Sequence, residues 1–85
     1  MMTPEEVSEY NEEALIADGL DEAIIGVAER INLGPVAAYS VEKIYEILMT
    51  RDGMTYEEAI EFFEFNIKGS WMGEYTPVYI YTNED

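Results

Sequence analysis

The chain has no cysteine and no histidine among its 85 residues, and only four basic side chains. The first absence rules out a disulfide framework and a thiolate metal site, and it fits a reducing compartment. The second removes the commonest general base and the commonest zinc ligand. The shortage of bases leaves 19 acids largely unopposed, for a net charge of −15. Such a chain repels nucleic acid and anionic membranes, and it attracts cations and basic protein surfaces. No apolar run approaches the roughly 20 residues of a membrane span, and the acidic first turn is unlike a signal peptide. The expectation is a soluble, cytoplasmic protein.

What is present suffices for a fold. Hydrophobic residues make up 48% and aromatics 13% of the chain, which suits a core rather than a solvated acidic tail. The length points to a single acidic domain over residues 1–85. Thr3-Pro4-Glu5-Glu6 has the pattern of a capping box with proline in the first turn. It predicts a helix from Pro4 to about Ala17, ended by Gly19, with Val7, Tyr10, Ala14 and Ala17 on its apolar stripe. A second helix is expected from an Asp21 cap to about Ile31. Its wide apolar arc holds Ala23, Ile24, Val27, Ala28 and Ile31, with Gly26 inside it at a cost of about 1 kcal/mol relative to alanine.

Gly34-Pro35 breaks the chain, and Val36 to Tyr39 reads as a short buried strand. Ser40 caps a third helix that buries Val41, Ile44, Tyr45, Ile47 and Leu48, and Arg51-Asp52-Gly53 ends it. A fourth helix, from Tyr56 to about Lys68, buries Ala59, Ile60, Phe62, Phe63 and Ile67. Thr76 to Thr82 alternates β-branched and aromatic residues and reads as a second strand. The expected fold is therefore α+β, with four helices packed on a small two-stranded sheet in the order ααβααβ. Ile24, Val27, Ile44, Leu48, Phe63 and Ile67 are expected to share one core.

The Asp52-Gly53 turn invites a calcium-loop reading, which fails on spacing. Counting back from Gly53 puts Leu48 and Thr50 where carboxylate ligands are needed. Thr55-Tyr56-Glu57-Glu58 instead fits a capping box, with Gly53 as the left-handed stop of the helix before it. A carboxylate-bridged metal pair would need inward-facing acids with histidines, and neither is available. No metal and no cofactor is expected. Catalysis is equally hard to assemble, because no histidine, thiol, phosphate-cradling loop or serine elbow exists, and a domain this small has little room for a sugar cleft.

Acid rows remain. Glu5, Glu9, Glu12 and Glu13 gather on the first expected helix, and Glu57, Glu61 and Glu64 lie within about 60° on the fourth. Their plainer reading is a solvated face. Phe65 borders the second row, either packed under the last strand or first helix, or left out as an aromatic anchor of an acidic interface. Trp71 is expected in the core and Tyr75 at the surface.

The stretch "VEKIYEILMTRDGMTYEEAIEFFEFNIKGSWMGEYTPVYIY" resembles a family of small proteins encoded by tailed phages and prophages. Its signature is ILM-x-RDGM-[ST]-YEEA-x-EFFEFN, followed by an aromatic–Gly–x–x–Thr-Pro stretch. "DEAIIGVAERINLGP" is similar to the family's preceding segment, so the resemblance covers about residues 12 to 82. Asn32-Leu33 departs from the small or glycine-containing residues expected at that turn. The resemblance implies a phage context and carries neither an established activity nor site residues.

Together these features point to a non-enzymatic protein that binds a basic surface on a host protein through its acidic helix faces. It would act as an inhibitor, for example of a defence system or as a nucleic-acid mimic. The rival is a self-associating structural or accessory protein whose charge provides solubility, and salt adaptation is a third account. A dimer is expected through the last strand, with Val78, Ile80 and Thr82 toward the helices and Tyr79 and Tyr81 exposed on the other side.

Overall fold

Three local caps set the helices of the protein, whose computed structural model describes residues 1–82. Helix α1 (Pro4–Tyr10) starts at Thr3, whose hydroxyl accepts from the Glu6 N–H while the Glu6 carboxylate accepts from the Thr3 N–H. Helix α2 (Val41–Asp52) is capped by the Ser40 hydroxyl and stopped by Gly53, which has the left-handed φ of 73°. Helix α3 (Tyr56–Phe62) carries the second capping box, between Thr55 and Glu58, and runs into a π-helical turn over Phe63–Ile67. Two strands form a hairpin, β1 (Ile24–Arg30) and β2 (Leu33–Ser40), and a short third, β3 (Val78–Ile80), completes a sheet in the order β1-β2-β3. β1 runs antiparallel and β3 parallel to the central β2, the latter through a crossover made of α2 and α3.

The expected arrangement of four helices on two strands is therefore wrong, and the segment Asp21–Ile31 is where it fails. Only Asp21–Ala23 is helical, as a single 3₁₀ turn, and Ile24–Arg30 is the edge strand β1. Ile24, Ile25 and Val27 are β-branched and Gly26 is a poor helix former, so pairing with β2 outweighs a weak helical propensity. Apolar residues on both faces of the strand erase the period-2 alternation that marks a strand in sequence. The hairpin turns at Ile31-Asn32, with Asn32 at φ 62°. Asparagine tolerates that left-handed conformation and meets the backbone need that a glycine would otherwise meet. Arg30 then ties the turn by donating to the Gly34 carbonyl at 3.1 and 2.9 Å.

Helix α1 also ends earlier than expected. Asn11 is extended, its amide donates to the Pro35 carbonyl at 2.8 Å, and its side-chain oxygen accepts from the Glu13 N–H. This local turn competes with the helix, a habit of asparagine side chains.

Inside, Val7, Ile24, Ala37, Tyr39, Ile44, Leu48, Ala59 and Phe63 form one core, with Val27, Ile67 and Tyr79 partly buried against it. Phe63 sits at the hub of an aromatic cluster, edge-on to Tyr45 at 5.8 Å and to Tyr79 at 5.3 Å between ring centres. This reverses the expected faces of the last strand. Register pairs Tyr79 with the core-facing Tyr39, so Tyr79 turns toward Phe63 while Ile80 points outward. Tyr81, just past the strand, stays exposed as expected at 59%, with its ring 6.4 Å from Phe63. Phe62, expected inside, is 37% exposed, because the aromatic hub is already filled. Trp71, also expected inside, is 75% exposed on the loop before β3. Tyr75, expected outside, is half-buried beside Gly34, with the Arg30 guanidinium 6.0 Å from its ring centre.

Tyr39 couples this core to pH. Its side chain is fully buried, its hydroxyl accepts from the Ala17 N–H at 2.8 Å, and burial pushes its phenol up to about 12 from the usual 10.0. The fold thus favours the neutral phenol. The stability this contributes is complete below pH 10, and roughly 2–3 kcal/mol of it is lost as pH rises from 10 through 12. Urea midpoints measured across that window should fall, and Tyr39→Phe should flatten the fall. A midpoint independent of pH there would contradict the assignment.

Candidate acidic and aromatic interface

Of the two expected acid rows, the fold keeps one. Glu5 and Glu9 are exposed on α1, but Glu12 and Glu13 lie beyond its last residue, in the turn made by Asn11. They do not continue a helical face. Glu57, Glu61 and Glu64 stand exposed along α3 and its π turn, as their spacing predicts.

The three carboxylates are not equivalent. Lys68 donates to both oxygens of Glu64 at 3.4 Å and to the Tyr81 hydroxyl at 3.3 Å. Those hydrogen bonds, first to Tyr81 and then to Glu64, hold the Lys68 ammonium above its usual range. Glu57 and Glu61 have no ion partner among the described residues. The open end of the row is therefore its N-terminal part.

Phe65 settles the choice its position left open. It packs under neither the last strand nor the first helix, and its side chain is 82% exposed. The π turn explains how. The Lys68 N–H donates to the Phe63 carbonyl at 2.8 Å, five residues back, which adds a residue to the turn. Phe63 is buried and Ile67 partly buried, while Phe65 projects between them into solvent. Such single π turns recur at functional sites.

Phe65 borders a concavity of about 450 Å³ that is also lined by Met54, Glu58, Glu61, Phe62 and Asn66. Phe62, Asn66 and Asp52 line a second cleft as well, of about 330 Å³, whose floor is Leu20, Leu48, Ile67 and Tyr79. The two adjoin around Phe62, giving a groove acidic at one end and apolar at the other. Asp52 itself is engaged by Arg51 through two hydrogen bonds of 3.0 Å, which hold its carboxyl below the usual range. Phe62 was expected in the core and Asn66 was not singled out from sequence. The signal for Phe62 was the excess of aromatics in "EFFEF", more rings than one side of a short helix can bury.

A larger concavity of about 590 Å³ lies between α2 and the start of α3, lined by Glu42, Lys43, Tyr45, Glu46 and Tyr56. Lys43 stands among its acids, and the exposed ring there, Tyr56, is 45% exposed against 82% for Phe65. Among the described residues no three acids converge on a group that could hold a metal ion, and no helix is long and apolar enough to cross a membrane. Comparisons with protein-family models, curated proteins and solved structures find no match.

Proposed function

We propose that this chain is a non-enzymatic binding module that docks a basic protein surface on the α3 face. The observation that carries the reading is the 82% exposed Phe65 ring, which lines one concavity with Glu58 and Glu61 on a helix that also exposes Glu57 and Glu64. A phenylalanine left in water next to Glu61, which has no ion partner among the described residues, costs stability and gains nothing within the monomer. At an interface the same ring becomes a desolvated anchor, and the acids steer and orient a cationic partner. An arginine or lysine over the ring adds about 0.5–1 kcal/mol, and more once water is excluded.

In the phage setting that the RDGMTYEEAIEFFEFN resemblance implies, the partner is a host protein in the cytoplasm and the outcome is inhibition. Glu57 and Glu64 are about 10 Å apart along the helix axis, a span compatible with neighbouring phosphates of the nucleic acid such a protein would mimic.

Calorimetric titration with a short arginine-rich peptide tests the reading. Affinity should fall steeply between about 50 and 200 mM salt, as screening and ion release require. Phe65→Ala should weaken binding about tenfold. Binding that ignores both salt and Phe65 would refute the proposal.

A further inference from the structure

We propose that the cleft beside Phe62 seats one large apolar side chain of the basic partner, whose docking segment therefore carries an aliphatic or aromatic anchor close to its arginines. This rests on the α3 reading above and names what that surface recognises. The cleft, of about 330 Å³, is floored by Leu20, Leu48, Ile67 and the Tyr79 ring. That volume lies at the lower end of the roughly 300–1,000 Å³ of ligand sites. Phe62 and Met72 stand at its mouth, both exposed.

Water over such a floor meets few polar partners, and an apolar group that displaces poorly held water gains affinity. Methionine suits the mouth of a site of this kind, because its unbranched thioether adapts to the shape of the guest. Phe62 and Phe65 are three residues apart, about 4.5 Å along the helix axis. An anchor packed against Phe62 thus leaves a neighbouring arginine within reach of the Phe65 ring and of Glu61. Side chains one turn apart on a partner helix have a similar separation, about 5–6 Å.

Charge selects the occupant. Among the described residues Arg51 is the one base that lines the cleft, and its guanidinium is already spent. It donates twice to Asp52 and once to the Gly19 carbonyl. A fatty acid or other apolar anion therefore finds no free cation here. The acids differ. Asp18 is exposed at the rim of the cleft and has no ion partner among the described residues. Glu61, in the adjoining concavity with Phe65, has none either. An apolar anchor in the cleft is flanked by open carboxylates, which select a cationic segment and turn away an anionic one.

Two arginine-rich peptides of equal charge test this, identical except for a central leucine in one and a serine in the other. By calorimetry the leucine peptide should bind about tenfold tighter, a gain within what burying a leucine supplies. Its advantage should persist at high salt, which screens only the charge they share. Methyl resonances of Leu48 and Ile67 should shift with the leucine peptide and stay in place with the serine peptide. Ser70→Phe, at an exposed position lining the cleft, should bring the leucine peptide down to the affinity of the serine peptide. Met72→Ser should narrow the difference in the same sense if the first variant folds poorly. Equal binding of the two peptides to the parent would overturn this inference and leave the α3 acid face standing. Failure of both to bind would refute that reading and this inference with it. A difference that survives intact in folded Ser70→Phe and Met72→Ser protein would place the leucine elsewhere and overturn the inference too.

Discussion

Replacing Phe63 with alanine should lower stability by about 3–5 kcal/mol. The ring is fully buried and edge-on to Tyr45 and Tyr79, with Tyr81 at 6.4 Å on its outer side. Aromatic pairs of this geometry each add about 0.5–1.5 kcal/mol beyond the area they bury. No neighbour can collapse into the space, because Tyr79 is held in the sheet opposite Tyr39 and Tyr45 is fixed within α2. A domain of this length has roughly 4–13 kcal/mol in total, so the variant should sit close to its unfolding transition. Urea denaturation followed by circular dichroism measures the loss. A decrease below about 1 kcal/mol would mean that Phe63 is not the hub of the core.

The features legible in the sequence were those written within a few residues. Both capping boxes and the Ser40 cap depend on side chains three positions from the backbone they satisfy, and the Gly53 stop on a left-handed backbone that donates to the Leu48 carbonyl. The buried face of α2 followed from its period. The places where the reading failed were decided by distant partners. β1 is a strand because β2 lies beside it, and its doubly apolar pattern carries no trace of which face meets the helices. Tyr79 turns inward because Tyr39, forty residues earlier, sets its register. Trp71 lies outside because Phe63, Tyr45 and Tyr79 already fill the aromatic hub. For the candidate site, the α3 acids could be counted on a wheel, whereas the wheel leaves Phe65 open to burial or exposure and the π turn sets it outward. The clefts around Phe62 could not be read this way, since their floors come from the loop before β1 and from α2.

The second large effect concerns those acids. Reversing Glu57, Glu61 and Glu64 to lysine should weaken binding of a basic partner at least a hundredfold, about 2.7 kcal/mol or more. The three side chains are exposed, and the Thr55–Glu58 capping box is untouched, so the fold should survive. Placing lysine at position 57, in the first turn, opposes the helix dipole and costs about 0.3–1 kcal/mol. Reversal at position 64 also leaves Lys68 facing a like charge, which costs a few tenths more. Neither change approaches the stability of the domain.

The same net charge change can be made elsewhere, by reversing Glu5, Glu9 and Glu12 near α1. The accompanying ring there is Tyr10, 62% exposed, and no concavity joins it to the acids as Phe65 is joined to Glu58 and Glu61. Titrating both triple variants with one arginine-rich peptide at one salt concentration separates a specific face from bulk charge. The α3 variant should lose binding, and the α1 variant should keep it within about threefold of the parent. Equal losses in the two variants would contradict a binding face on α3.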